Sequence, residues 1–284
     1  MIRDYFEDFS RYTCAHDHYG SADAVIVGLP FDGTTSHHPG TRFGPAAIRA
    51  ASWTVETYSP DLSKDLVDLS LCDLMDMAVY GTQEEFFRNI RTVAGEVAAE
   101  GKKVVALGGE HSVTYPLVQG VKEALGDLTV LCFDAHLDLR DEYLGNRLSH
   151  ACVARRCLEV TPHFYHFGVR SGEAEEWRLA EKLQVSRRLP GREDIEAILA
   201  EDRPLYVTVD IDVLDPAFAP GTGAPEPGGV SSRELLQALH LLREAGDRLV
   251  AFDVVEVCPP CEHGTLTAAL AAKVARELLL MALG

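Results

Sequence analysis

A chain of 284 residues is long enough for one large α/β domain or two small ones, and its 46% hydrophobic and 25% charged content is that of a soluble globular protein. The formal net charge of −18 argues against nucleic acid as a partner, since phosphate binding needs basic patches. No apolar run reaches the roughly 18 residues that would suggest a membrane span. The same acidity suits a small cationic substrate, although solubility alone would account for it.

The N-terminal stretch M-I-R-D-Y-F-E-D-F-S is mixed and acidic and is not expected to act as a secretory signal. Seven scattered cysteines, odd in number and set mostly in apolar contexts such as V-L-C-F-D, read as reduced thiols of a cytoplasmic protein. Residues 22–28 (A-D-A-V-I-V-G) read as a strand, followed by a Gly/Pro-rich loop and the helix start G-P-A-A-I-R-A. Residues 82–100 have helical periodicity, and K-V-V-A-L at 103–107 reads as a strand. A helix from about 112, a strand at 128–133 and a helix near 149–157 follow. Strands at 163–167, 205–209 and 249–254 and an Ala/Leu-rich helix at 265–281 complete the set. Apolar strands alternating with helices predict βαβ units and a parallel sheet covered on both faces. With no repeat and no linker, residues 1–284 read as a single domain. In such sheets ligands sit at the carboxyl ends of the strands.

Three strand ends carry unusual residues. G-G-E-H ends at His111, D-A-H-L-D supplies Asp134, His136 and Asp138, and D-I-D supplies Asp210 and Asp212. Residues i, i+2 and i+4 of an extended chain point to one side, so each set can converge. Four carboxylates at buried strand ends repel one another and lose hydration, and these segments contain no lysine. A pair of divalent cations removes the difficulty, and imidazole with carboxylate, without thiolate, suits Mn²⁺ better than a structural zinc. A single strand-end Asp commonly caps the following helix. A D-x-H-x-D, a D-x-D and a separate His together ask for more than that.

The segments G-G-E-H-S, F-D-A-H-L-D, V-D-I-D-V-L-D-P-A-F-A-P-G-T-G-A-P-E-P-G-G and D-V-V-E-V-C-P-P resemble the signatures of the ureohydrolases, the family of arginases and agmatinases. G-L-P-F-D-G-T-T-S-H-H-P-G-T-R-F-G-P-A-A-I-R resembles that family's entrance loop. The resemblance implies an α/β fold of three layers, α/β/α, around a mostly parallel eight-stranded sheet, assembled as a homotrimer or homohexamer. It implies two Mn²⁺ per chain. His111 and Asp138 would hold one ion and His136 and Asp212 the other, with Asp134 and Asp210 bridging both. Two such ions acidify a shared water, which attacks the guanidinium carbon, and Asp138 is the candidate proton donor to the departing amine. By the same resemblance Glu256 grips the guanidinium through paired hydrogen bonds, and His150 relays protons or contacts the substrate.

Other features take plainer readings. C-P-P-C at 258–261 has redox spacing but lacks the helix start that redox motifs place after the first cysteine, so it reads as a rigid loop. His37 and His38 read as solvent-facing residues of the entrance loop. G-G-E-H lacks the G-K-[ST] of a phosphate loop, and Glu110 reads as a residue that orients a metal ligand. Arg140 stands where arginases have an Asn that helps hold the substrate's α-carboxylate, which disfavours arginine. Asp141 and Glu142 are the candidates to receive a distal ammonium, with Arg140 expected to point away from the pocket. Agmatine, cleaved to putrescine and urea, is the expected substrate. Aminopropylagmatine is the close alternative, and arginine or a guanidino or formimino acid held by Arg140 or Arg147 the more distant one. A single-zinc deacetylase-like enzyme and a non-catalytic binding module are the readings from other classes, and neither needs the six paired ligands.

Overall fold

The computed structural model describes residues 10–283; residues 1–9, most of the acidic N-terminal stretch, lie outside them. Eleven strands occur among the described residues: β1 (Ala15–His16), β2 (Ala24–Leu29), β3 (Tyr58–Ser59), β4 (Lys64–Asp65), β5 (Leu71–Asp76), β6 (Lys103–Gly108), β7 (Thr129–Phe133), β8 (Phe164–Phe167), β9 (Gln184–Ser186), β10 (Leu205–Asp210) and β11 (Leu249–Val255). They alternate with the helices α1 (Gly44–Ser52), α2 (Gln83–Ala99), α3 (Thr114–Leu125), α4 (Val153–Val160), α5 (Ala174–Ala180), α6 (Arg192–Leu199), α7 (Ser232–His240) and α8 (Leu266–Leu283).

Nine strands form one sheet in the order β1-β5-β2-β6-β11-β10-β7-β8-β9, and every pairing in it is parallel. The expected eight strands become nine through short edge strands such as β1, a two-residue pair with β5 that carries no periodicity to read. Strands β3 and β4 form a separate antiparallel pair.

The three layers follow from side-chain alternation. In β6, Val105 and Leu107 pack into the core on one face, with α1, α6, α7 and α8. Val104 and Ala106 point the other way, into a core shared with α2, α3, α4 and α5. Each fully buried Leu of α8, such as Leu278 and Leu279, contributes roughly 1.5–3 kcal/mol by leaving water. Helix α2 starts on a capping box in which Thr82 and Glu85 each satisfy the other's backbone N–H.

The sheet order decides where chemistry can occur. Strands β6, β11, β10 and β7 are adjacent at the centre of the sheet, so the four loops at their carboxyl ends meet. Those loops carry His111, Glu256, the Asp210/Asp212 pair and the D-A-H-L-D segment.

Candidate metal centre

The six residues converge as their positions at the strand ends require. His111 opens a 3-10 turn after β6, and its Nδ1 lies 3.0 Å from Asp134 Oδ2, 3.2 Å from Asp210 Oδ2 and 3.8 Å from Asp138 Oδ2. His136 Nδ1 lies 2.9 Å from Asp212 Oδ2 and 3.7 Å from Asp134 Oδ1. Asp134 thus stands between the two imidazoles. Backbone amides orient the carboxylates: Asp134 Oδ1 accepts from His136 N at 2.6 Å, Asp210 Oδ1 from Asp212 N at 2.8 Å, and Asp212 Oδ1 from Ala135 N at 3.1 Å.

One imidazole tautomer is set by a chain of hydroxyls. Asp253, wholly buried in β11, accepts from Tyr206 and Thr208 hydroxyls at 2.5 Å each and from Thr114 Oγ1 at 2.9 Å. Thr208 spends its only proton on Asp253, so its oxygen accepts from His111 Nε2, 3.1 Å away. His111 Nδ1 then turns a lone pair toward Asp134 and Asp210. Nδ1 and Asp134 Oδ2 are both buried without a hydrogen-bond partner. A lone pair facing carboxylate oxygens at 3.0–3.2 Å is repulsive, so the site takes up either a proton on Nδ1 or a metal cation between these atoms.

The protein's own charges point the same way. Burial opposes protonation of His136, yet Asp212 raises its pKa to about 11. Burial likewise opposes protonation of His111, and Asp134 and Asp210 outweigh it. Burial first, and then neighbouring carboxylates, push Asp138 and Asp210 well above the carboxylate range. The pocket thus draws in positive charge by whatever route is open, and a divalent cation is the compact one. Asp134, His136 and Asp212 make one cluster of metal-ligand geometry. A second links His111 and Asp134 to Cys132, but burial holds the Cys132 thiol well above its usual range and so protonated, a poor ligand.

Glu256 and His150 flank a cavity of about 230 Å³ that the metal-ligand candidates His136, Asp138, Asp210 and Asp212 also line. Glu256 has φ +65° and Asp138 φ +50°, a left-handed backbone that is uncommon for non-glycine residues. Glu256 Oε1 accepts from His111 N at 2.7 Å, and burial together with Glu110 raises its pKa to about 8. His150 Nε2 lies 3.1 Å from Ser36 Oγ and Nδ1 3.3 Å from Thr34 Oγ1. Burial and the charge of His136 lower its pKa to about 4, which keeps the ring neutral.

Glu110 does not reach a proposed metal ligand's side chain. Its carboxylate accepts from Thr34 N at 2.7 Å, from Ser112 Oγ at 2.5 Å and from the Thr34 hydroxyl, and so anchors the entrance loop. Gly109 permits this approach, because a Cβ there would sit 2.0 Å from the Phe31 carbonyl oxygen. His37 and His38 are exposed, as read, although His37 also borders the cavity.

The reading of residues 139–150 is corrected in two places. Asp141 is turned into an arginine cluster, 2.7 Å from Arg156 and 2.9 Å from Arg147, and neither it nor Glu142 lines the cavity. Arg140 does line it, stacked 4.8 Å over the Tyr143 ring and paired with Glu173 at 2.9 Å and Glu176 at 3.6 Å. The distal wall is therefore one cation and two carboxylates, and Glu173 and Glu176 come from the start of α5, a helix the periodicity did not reveal.

Residues 22–281 match the sequence pattern of the "Arginase family". The chain belongs to the arginase family. It is 39% identical over 276 residues to the agmatinase of Bacillus subtilis (strain 168), covering 95% of each chain. It is 38% identical over 256 residues to the N(1)-aminopropylagmatine ureohydrolase of Thermococcus kodakarensis, covering 88% of this chain and 87% of that one. The solved agmatine ureohydrolase of Thermoplasma volcanium superposes with a TM-score of 0.88 at 31% identity, over 99% of this chain and 96% of that one. This arginase-family chain is thus a ureohydrolase with candidate ligands for the metal its family depends on.

Proposed function

We propose that the chain is a binuclear manganese hydrolase that converts agmatine and water to putrescine and urea. The observation that carries this reading is the convergence of His111 Nδ1 on Asp134 and Asp210, at 3.0 Å and 3.2 Å, with Asp134 also in the metal-ligand cluster of His136 and Asp212. His111 and Asp138 would hold one ion, His136 and Asp212 the other, with Asp134 and Asp210 shared. The nitrogen and oxygen donors favour Mn²⁺. When bound, the ions supply a water acidified toward neutral pH.

The side chains supply the rest. Glu256 faces the cavity and accepts two N–H bonds from the planar guanidinium, whose charge returns the carboxyl to its ionised form. This fixes the central carbon for attack by water. Asp138 takes a proton from the attacking water and passes it to the alkyl nitrogen as its bond to the central carbon breaks. The remaining hydroxyl proton then moves to the released amine, leaving an ammonium and urea. His150, neutral and held by Thr34 and Ser36, closes the side of the cavity and relays protons. A longer cationic substrate such as aminopropylagmatine fits the same geometry, because Glu173 is 59% exposed at the cavity's outer end.

Glu256→Gln is expected to keep its metal and lose at least about tenfold in kcat/KM, since a charge-assisted bond contributes roughly 1.5–3 kcal/mol. Unchanged kinetics would remove Glu256 from substrate binding. Asp253→Asn is expected to weaken metal affinity by about tenfold through Thr208 and His111, as outer partners of metal ligands do. A metal titration that matches the parent protein would dissociate Asp253 from the centre. Urea release from agmatine, measured with and without added Mn²⁺, tests the reading as a whole.

A further inference from the structure

The C-P-P-C segment departs from its reading as a bare rigid loop. A 3-10 turn runs from Pro259 to Cys261 with Cys258 as its N-cap, so a helical start does follow the first cysteine. At three residues per turn, positions 258 and 261 lie on the same side. Their sulfurs stand 3.0 Å apart, and Cys261 N donates to Cys258 O at 2.9 Å. Two prolines hold the turn in this form in the reduced protein, so little ordering remains for a covalent link to impose. Both thiols are free, Cys258 fully buried and Cys261 half-buried.

The turn also underlies the cavity. Cys258 N donates to Gly221 O at 2.7 Å, and its thiol donates to Pro39 O at 3.6 Å. Gly40 rests directly on it: a Cβ there would lie 2.8 Å from Pro260 Cγ and 3.0 Å from Cys258 Sγ. His38 N donates to Gly223 O, and His37, Gly223 and Glu256 line the cavity. One turn thus supports the entrance loop, the segment at 221–223 and the strand end bearing Glu256.

We propose that Cys258 and Cys261 form a reversible disulfide on exposure to a hydroperoxide, and that this bond loosens the entrance loop over the cavity. The half-buried Cys261 sulfur takes the terminal peroxide oxygen, releasing an alcohol or water and leaving a sulfenic acid. Cys258 sulfur attacks that sulfur, and its proton departs with the hydroxyl as water. The sulfurs close from 3.0 Å to about 2.05 Å, and the thiol hydrogen that bonded Pro39 is lost. A dithiol reductant returns both hydrogens.

The control of turnover rests on the proposed ureohydrolase activity, whereas the bond itself does not. The test treats metal-loaded protein with tert-butyl hydroperoxide, then maps tryptic peptides and measures kcat/KM for agmatine. The peptide spanning 249–273, which carries both cysteines, is expected to lose two hydrogens. Because a displacement near 1 Å can cost up to about a hundredfold, kcat/KM is expected to fall on the order of tenfold, and dithiothreitol to restore it. Cys261→Ser is expected to keep the untreated kcat/KM and resist the peroxide. Two alkylatable thiols remaining in that peptide would overturn the disulfide, with no turnover needed to see it. A disulfide formed at constant kcat/KM, or equal inactivation of Cys261→Ser, would overturn its control of the loop. Urea release by untreated protein reports separately on the ureohydrolase reading.

Discussion

Asp134→Asn is expected to lose both divalent ions and nearly all urea release, while the protein remains folded. Among the described residues Asp134 is the one carboxylate within 4 Å of both imidazoles, with Oδ2 3.0 Å from His111 Nδ1 and Oδ1 3.7 Å from His136 Nδ1. The amide removes the negative charge shared by two cations, and its NH₂ group turns donors toward a centre that needs acceptors. Loss of an outer partner commonly costs about 10–100-fold, so loss of a shared ligand is expected to cost on the order of a thousandfold in kcat/KM. The fold is not expected to follow, because the amide keeps the carboxylate's shape and its oxygen still accepts from His136 N, while Asp138 and Asp210 lose a repelling neighbour. Elemental analysis of parent and variant, beside a thermal melt, decides the matter. One tightly bound metal per chain in a fully active parent would sink the binuclear centre, as would an Asp134→Asn enzyme that keeps both ions.

What could be read in advance follows from how the signal is carried. The six central strands announced themselves because both faces are buried, which makes each an apolar run. The metal-ligand candidates stood out because they interrupt those runs at one end. Asp253 sits in mid-strand in A-F-D-V-V-E, away from the strand ends that mark the site, and its only local sign is a carboxylate inside an apolar run. Tyr206, Thr208 and Asp210 alternate in Y-V-T-V-D and so share one side of β10, a pattern that would have exposed the hydroxyl chain behind His111. Strand β5 was hidden by Asp73, whose buried charge is matched by Arg49 of α1 at 2.7 Å and 2.9 Å, a pairing that no local window contains. The distal wall was illegible for the same reason. Arg140 meets Glu173 and Glu176 across more than thirty residues, whereas sequence proximity suggested Asp141 and Glu142.

Agmatine is expected to be hydrolysed on the order of a hundredfold or more better than arginine, with aminopropylagmatine grouped with agmatine. Arginine adds one carboxylate beside the distal amine. An enzyme built for it must offer that carboxylate unpaired donors. Arg140 is the cation on the distal wall, and its guanidinium is already divided between Glu173 and Glu176 while its face covers Tyr143. The three charges sum to one excess negative, which attracts an ammonium and repels a carboxylate. A like-charge contact in a partly desolvated site costs several kcal/mol, against about 1.4 kcal/mol for each factor of ten. Glu173→Gln separates this cause from simple shape. It leaves Arg140 facing Glu176 alone, and the agmatine preference is expected to narrow chiefly through a higher KM for agmatine. Side-by-side kcat/KM values for agmatine, aminopropylagmatine, arginine and 4-guanidinobutyrate supply the comparison. Preference for either carboxylate-bearing compound would mean that Arg140 leaves its glutamates to bind the substrate, and that the wall selects for the opposite charge.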